Sequence, residues 1–484
     1  MRVPRQHVSN SRHVIDYTSI KNSIDEHNFS DIVHSQDPND AANLLVDTLS
    51  GIIHSNMKIV RMSRKKVPIK PWITPGLLKC IKHRDRLHKK HKKSPNNKIL
   101  KLTYNRYKKF CNNLLKRLKR TYEKLEFEKT KNDTKGTWQV VKKITNITSS
   151  PSPPIELLQL QSDPKSSLNL VNKYIAEVGN KLASQILQNS NSSPISKIVG
   201  SFCSVNSFGL LPVDQEEIHN IIMSLKSNSA VGWDGIPTKV LKSSSIILTP
   251  IINRICNDCL SKGIFPNCLK KALVIPVYKN GDRSSVNNYR PISLLTALSK
   301  IFERVLNKRL VNYLETKNIL SINQYGFRKN KSTEDAALEL TETISRALDK
   351  RRKFVGVFLD LSKAFDTVSI PILLDKIEKI GVRGIALDIF RDYLTNRTQQ
   401  IKVNEYWSDA LPLTYGVPQG SILGLTLFLI YINNLCCLSI PNCKMIAYAD
   451  DTVSLITGNT LENTFKNTEY ALQKVSAWLT ENLL

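Results

Sequence analysis

The chain has 484 residues, 41% of them hydrophobic, a formal net charge of +29 and a pI near 9.7. That length can hold two or three domains, and the apolar content excludes a disordered tail. No signal peptide opens the sequence, no apolar run reaches membrane length, and nine cysteines scattered from Cys80 to Cys443 fit no disulfide framework, so reduced thiols and an intracellular setting without membrane contact are expected.

In chain order, residues 1–57 show weak helical periodicity, as in Ala41-Ala-Asn-Leu-Leu-Val-Asp-Thr-Leu49, and read as an N-terminal helical linker region. Charge then rises: Lys58 to Lys143 holds 29 Lys and Arg against 5 Asp and Glu, a surplus of 24 that is most of the total. Tyr104, Tyr107, Phe110, Leu114, Leu118, Tyr122 and Leu125 recur at three- and four-residue steps. They predict a long helix with one apolar stripe and a cationic surround within a basic helical segment, 58–147. Such charge density favours an anionic partner. RNA or DNA phosphates fit better than anionic membrane, whose amphipathic face the tyrosines and prolines would interrupt, and binding would be salt-sensitive rather than base-specific. A solvated basic helix is the alternative. Residues 148–205, rich in Ser, Asn and Pro, read as a linker with a short helix near Leu168–Ile186. Cys256-Asn-Asp-Cys259 has half of a zinc spacing but lies in a helix-like run without a second pair, which points to buried thiols.

The chemistry concentrates further on. Phe354-Val-Gly-Val-Phe-Leu-Asp360 reads as a strand buried on both faces with a carboxylate at its C-terminal end. Gly416-Val-Pro-Gln-Gly-Ser421 flanks Pro-Gln with glycines, which lets a backbone approach a flat ligand or simply turn before a core helix; the apolar run Ile422 to Ile432 is too short for a bilayer and belongs in a core. Tyr448-Ala449-Asp450-Asp451 puts adjacent carboxylates at a turn between two strand-like runs, Lys444–Tyr448 and Thr452–Ile456. An isolated Asp pair suits a turn that bonds its own backbone. With a second carboxylate at Asp360, the three acids instead suit divalent ions and a triphosphate, the arrangement of two-metal phosphoryl transfer.

Together, Phe-Leu-Asp360-Leu-Ser-Lys-Ala-Phe365-Asp366, Gly416-Val-Pro-Gln-Gly-Ser421 and Tyr448-Ala-Asp450-Asp451 resemble, in order and spacing, the palm motifs of reverse transcriptases. Upstream, Gly232-Trp-Asp234-Gly235-Ile-Pro237, Gly263-Ile-Phe-Pro266, Val274-Ile-Pro-Val-Tyr-Lys279-Asn-Gly-Asp282, Asn288-Tyr-Arg290-Pro-Ile-Ser-Leu-Leu295 and Gln324-Tyr-Gly326-Phe327-Arg328 resemble the fingers of the non-LTR, LINE-type retrotransposon branch, jockey-like in kind. The resemblance implies an α+β right-hand polymerase, with fingers over 206–345 and a palm of antiparallel sheet and packed helices over 346–484. It implies RNA-templated addition of deoxynucleotides to a DNA primer at a nicked target, with two Mg²⁺ ions, Mn²⁺ being a possible substitute, on Asp360, Asp450 and Asp451. Phe365 stands where the family places a ring beneath the sugar of the incoming nucleotide, excluding a ribose 2′-hydroxyl. Lys279 and Arg290 match the pair that grips the triphosphate, and Gln419 and Gly420 match residues that pack on the templating base pair.

The sequence departs from the pattern at Leu425, where relatives have proline after the glycine, and at its two ends. Relatives continue past Ser476-Ala-Trp478-Leu into a thumb, and begin with an endonuclease linked through a stretch like Pro71-Trp72-Ile-Thr-Pro75. An internal piece of a longer polyprotein, or a decayed copy, is therefore the expectation. Two other readings stay open: a non-catalytic remnant that binds nucleic acid, and an RNA-directed RNA polymerase, against which Phe365 argues. The oligomeric state is left open by the sequence.

Overall fold

In the first sixty residues, apolar positions repeat at helical steps and form α1 (Tyr17–Glu26), α2 (Ser30–His34) and α3 (Pro38–Ser55). The N-cap side chains of Asp16 and Asp37 accept the backbone N–H of Ser19 and Asn39, which starts α1 and α3. The computed structural model describes residues 11–61, 70–145, 153–189 and 204–484. Cys203 and most of the Ser/Asn/Pro runs at 149–154 and 189–194 lie outside them. The chain divides into two compact units, residues 1–14 with 59–152 and residues 15–58 with 153–484. Two short strands, β1 (Ser11–Ile15) and β2 (Met57–Arg61), pair with each other.

The first unit contains the basic helices α4 (Pro75–Lys93), α5 (Lys98–Lys129) and α6 (Thr134–Thr145). Thr74 caps α4 and Asn97 caps α5, so the turn between them makes a helical hairpin. Its seam is aromatic and sulfur-lined: His83 meets Tyr107 edge-on at 4.7 Å, His88 lies 5.1 Å from Tyr104, and Cys111 is buried with its Sγ 3.6 Å from the Cys80 carbonyl. The expected stripe is narrower than its periodicity implied. Phe110 and Leu125 are 53% and 50% exposed, because α5 packs along α4 over only part of its length and Cys111 takes the central buried position.

In the second unit the N-terminal segment is not a linker. Ala41, Ala42, Leu45, Val46, Leu49 and Ile53 bury one face of α3 in the same core as α10 (Ser245–Lys262), and Ser50 Oγ donates to the Asp234 carbonyl at 2.9 Å. Each such side chain contributes on the order of 1.5–3 kcal/mol on burial. The segment read as a linker with a short helix carries α7 (Pro164–Asn189), 26 residues long. Leu168 and Val171 of α7, with Leu157 and Leu158 of the preceding 3₁₀ turn, cover Val274, Tyr289, Ile401 and Val403. Buried leucines at helical spacing explain why this polar-looking stretch folds. Then follow α8 (Gln215–Ser224) and α9 (Thr238–Ser243). Cys256 and Cys259 are buried in α10, and burial pushes the Cys256 thiol up to about 12.

Two sheets organise the remainder. Strands β3 (Lys271–Tyr278), β4 (Tyr289–Leu294), β6 (Arg397–Val403) and β7 (Tyr406–Trp407) run in the order β4-β3-β6-β7, with β8 (Leu411–Leu413) also pairing with β6. The second sheet has the order β5-β10-β9, from β5 (Lys353–Leu359), β9 (Cys443–Tyr448) and β10 (Asp451–Gly458). Helices α11 (Ala297–Thr316), α12 (Thr333–Asp349), α13 (Ile370–Lys379), α14 (Ile385–Leu394), α15 (Ile422–Ile432) and α16 (Leu461–Glu481) complete the unit. As its almost wholly apolar sequence requires, α15 is buried almost throughout. Strand β5 is not buried on both faces. It is an edge strand whose Val357 and Leu359 face the core, while Phe358 is 75% exposed. Among the described residues no helix is long and apolar enough to cross a membrane.

Candidate active site

Strands β9 and β10 form a hairpin closed by two residues, Ala449 and Asp450, with Tyr448 facing Asp451. Ala449 takes φ +59°, a left-handed backbone that disfavours a side chain by about 1–2 kcal/mol. The buried side chain of Gln324 holds it there. Gln324 Oε1 accepts the Ala449 N–H at 3.0 Å and the Gly326 N–H at 2.9 Å, while Nε2 donates to the Ala449 carbonyl at 3.2 Å. Gly326 has to be glycine, since a Cβ there would lie 2.2 Å from the Ala449 nitrogen.

The antiparallel register then decides which acids meet. Thr452 of β10 faces Leu359 of β5, so Asp360, one residue beyond Leu359, comes to the end of the sheet that carries Asp450 and Asp451. Burial raises the Asp450 carboxyl above its usual range, the nearby charges of Asp451 and Asp360 raise it further, and Arg290 pulls it down. Those three carboxylates and Arg290 therefore act on one space. Asp360 and Asp451 are exposed. Among the described residues no three acidic, imidazole or thiol groups close into a ready ligand set. The donors fit divalent ions by chemistry: three hard oxygen ligands whose mutual repulsion a cation would relieve.

Asp360 leads into a turn in which Phe365 stacks on Phe428 of α15, ring centres 4.4 Å apart and planes 29° apart, with Phe327 at 6.5 Å. The loop 416–421 docks beside it. Gly416 N–H donates to the Val368 carbonyl at 2.8 Å and Val417 N–H to the Phe365 carbonyl at 2.9 Å, while the Gln419 carbonyl accepts Ser293 N–H of β4 at 2.8 Å. Both glycines here serve the protein's own backbone. A Cβ on Gly420, φ +118°, would sit 2.7 Å from the Ser293 oxygen, and one on Gly416, φ +85°, would sit 3.0 Å from Asp366. Gly420 is exposed beyond that contact. Ser421 caps α15 by accepting Gly424 N–H at 2.9 Å, and the buried Glu303 of α11 accepts Ile422 N–H at 2.7 Å and the Tyr393 hydroxyl at 3.0 Å.

The two candidate cations separate. Arg290 lies on β4 opposite Val277, exposed and felt by Asp450, whereas Lys279 follows β3, exposed, with no ion pair among the described residues. Three residues that carry the geometry have no role assigned by sequence: Gln324, Glu303 and Asp366. Gln324 and Asp366 fall inside conspicuous motifs, but nothing in a motif says which backbone a side chain will hold, and Glu303 has no local signal at all.

Residues 277–484 match the family model "Reverse transcriptase (RNA-dependent DNA polymerase)". The chain is similar to the probable RNA-directed DNA polymerase from transposon BS of Drosophila melanogaster, 31% identical over 279 residues, which are 56% of this chain and 31% of that protein. It is similar to the RNA-directed DNA polymerase from mobile element jockey of the same species, 31% identical over 256 residues, covering 51% of this chain and 28% of the relative. A Pol polyprotein from type-1 retrotransposable element R2 of Popillia japonica is 27% identical over 256 residues, 50% of this chain and 35% of that protein. The chain thus spans about a third of the length of the curated relatives it matches. Residues 277–484 form a reverse transcriptase domain of the jockey-like, non-LTR retrotransposon kind.

Proposed function

We propose that this chain is the fingers-and-palm part of a right-hand polymerase that copies RNA into DNA, joining deoxynucleotides to a DNA 3′-hydroxyl with release of pyrophosphate. The observation that carries the reading is the register of β5, β10 and β9, which sets Asp360 beside Asp450-Asp451 where the Phe365 turn departs. In this reading residues 206–345 are fingers and 346–484 palm, and the basic segment 58–147 contacts nucleic acid phosphates. RNA template, DNA primer and deoxynucleoside triphosphates are the partners, inside the cell.

Asp360, Asp450 and Asp451 would hold two Mg²⁺ ions, or Mn²⁺. Bound there, such ions activate the attacking hydroxyl and neutralise charge on the transferring phosphoryl group. The chain's own residues do the rest. Arg290, and Lys279 once a substrate anion draws it in, bind triphosphate oxygens. Phe365, fixed by its stack on Phe428, fills the space a 2′-hydroxyl would need. Gln419 and Gly420 line the surface under the templating base pair.

The test is primer extension by purified protein on an RNA template with Mg²⁺, beside the Asp450→Ala/Asp451→Ala double variant and a salt-titrated binding assay. Extension that the variant loses is the expected result. Absent extension, with tight salt-sensitive binding that the variant keeps, would reduce the chain to a nucleic-acid-binding fragment.

A further inference from the structure

One half-buried carboxylate behind the loop 416–421 has no part in the proposed chemistry. Gln419 Nε2 donates to both oxygens of Asp366, at 2.9 and 3.0 Å. A carboxylate only accepts hydrogen bonds, so it admits the Nε2 end of the amide and turns Oε1 away. Of the two ends, Gln419 therefore presents Oε1 to whatever lies on its other side.

Asp366 itself is clamped by backbone. Its N–H donates to the Lys363 carbonyl at 2.8 Å. On one side a Cβ at Gly416 would stand 3.0 Å from the Asp366 Cα; on the other, a Cβ at Gly179 of α7 would stand 2.2 Å from its carbonyl oxygen. Helix α7 also reaches the same turn through Tyr174, whose hydroxyl accepts from Lys363 Nζ at 2.6 Å and whose ring lies 4.6 Å beneath that ammonium. The far part of α7 is anchored in turn, Asn172 Nδ2 donating to the carbonyls of Gln399 and Asp409 at 3.3 and 2.9 Å. Asp366 and Gln419 share a small cleft with Pro291 and Ser293 of β4.

We propose that Asp366 is a positioning residue for nucleotide selection, acting through Gln419 by locking its amide in one orientation, and that α7, outside the segment matched by the family model, is the brace that sets it. The inference rests on the reverse transcriptase reading above. A consequence follows from protonation. Burial pushes the Asp366 carboxyl up to about 6, against the lowering effects of Gln419 and the Lys363 charge. The other charged group lining the cleft is Arg397, and α7 presents only the uncharged Ile175 and Ala176 there. A protonated carboxyl both donates and accepts, as a carboxamide does, so either orientation of Gln419 becomes acceptable. Below about pH 6 the parent protein therefore behaves as Asp366→Asn does at every pH.

The experiment measures KM for the deoxynucleotide on an RNA template from pH 5 to 8, for the full chain and for Asp366→Asn, with melting curves for both. At pH 8 the variant's KM should be about tenfold above the parent's, the scale of one charge-assisted hydrogen bond, with kcat changed by less than about twofold. The ratio should fall to one near pH 5 because the parent moves to the variant's value. A ratio that is one at pH 8, a ratio constant with pH, or a loss confined to kcat overturns the proposal. Gln419→Leu adds a second criterion, since it should erase the difference between Asp and Asn at 366, and additive effects would contradict the coupling. If Asp366→Asn fails to fold, the parent's profile decides: a KM that does not rise between pH 7 and 5 refutes the idea. Nucleotide-dependent retention of a dideoxy-terminated primer on the template repeats the ratio without chemistry. A parent that retains the complex but never extends counts against the polymerase reading, while its retention ratio still judges Asp366; a parent that retains nothing overturns both.

Discussion

Replacing Gln324 with alanine tests how the Asp450-Asp451 turn is held. The substitution removes three hydrogen bonds, two to Ala449 and one to the Gly326 N–H. Ala449 is 4% exposed, so its polar backbone groups find little water in exchange. Each bond contributes about 1 kcal/mol net and each orphaned group costs more, which puts the loss at about 3–5 kcal/mol, concentrated at the turn. Freed from the clamp, Ala449 also sheds the 1–2 kcal/mol of its left-handed conformation, roughly, by relaxing toward negative φ and carrying Asp450 with it. Displacement of a catalytic group by about 1 Å can reduce turnover about a hundredfold. The assay is primer extension with a parallel thermal melt. A lowered melting temperature with at least a tenfold fall in kcat is expected, and Ala449→Gly in the Gln324→Ala background should recover about 1 kcal/mol, because glycine accepts positive φ. A Gln324→Ala protein that melts and extends like the parent would refute the clamp.

Three further outcomes follow from other parts of the molecule. Phe365→Ala removes the ring stacked on Phe428 and should raise the use of ribonucleotides relative to deoxynucleotides at least about tenfold, read as the ratio of kcat/KM values; unchanged discrimination would sink the steric argument. Lys376 is buried, bonds the Tyr431 carbonyl and lies 4.6 and 4.9 Å from the Tyr431 and Trp478 rings, and burial lowers it from 10.5 to about 7. A lowered folded-state value means the parent is most stable above pH 10.5 and loses stability as pH falls from there toward 7. Lys376→Met should therefore be the more stable protein at pH 7 by about 2 kcal/mol, after the ring contacts offset part of the burial penalty, with the gap closing by about pH 10.5 in denaturant titrations; a less stable variant would show that the charge is net favourable. Changing the exposed Lys89, Lys90, Lys92 and Lys93 of α4 to glutamine should flatten the slope of log affinity against log salt by about 3; an unchanged slope would remove this helix from the nucleic acid interface.

How far the sequence foretold these features depends on what kind of interaction each one is. The β9–β10 hairpin and the buried α15 were legible because their signals are local: an apolar strand-like run on each side of a turn, and a mostly apolar run too short for a membrane. The acids at Asp360 and Asp450-Asp451 could be picked out, but their meeting depends on a register between strands about ninety residues apart, which spacing does not encode. Strand β5 misled because an apolar run looks the same at an edge as in the middle of a sheet; only the partner list of Phe358 distinguishes them. The N-terminal helices misled for a related reason. Leu45 and Leu49 bury against the core of a unit whose next residue in sequence, after the basic insert, is Pro153. Nothing local marks a domain that pauses and resumes.

The same contrast explains how the site can be ordered before any cation is bound. Asp360, Asp450 and Asp451 repel one another, so on their own they would spread apart and drag their loops with them. Three polar side chains oppose this, Gln324 and Glu303 buried and Asp366 half-buried, and none of them belongs to the acid cluster: Gln324 holds the Ala449 turn, Glu303 holds the start of α15, and Asp366 holds Gln419. Gln324 and Glu303 bond groups that would otherwise be orphaned in a dry setting, where an unmade hydrogen bond is more expensive than the repulsion between solvent-facing carboxylates. The repulsion therefore adds to burial in raising Asp450 rather than being released as loop movement. Under the proposed function, that ordering of energies would give a division of labour in which the three acids supply the chemistry and Gln324, Glu303 and Asp366 supply the geometry. Conservative substitutions should separate the two: Asp450→Asn should abolish extension with little change in melting, whereas Glu303→Gln, which weakens the hold on the Ile422 N–H, should lower the melting temperature first and extension only in proportion to the order lost at α15.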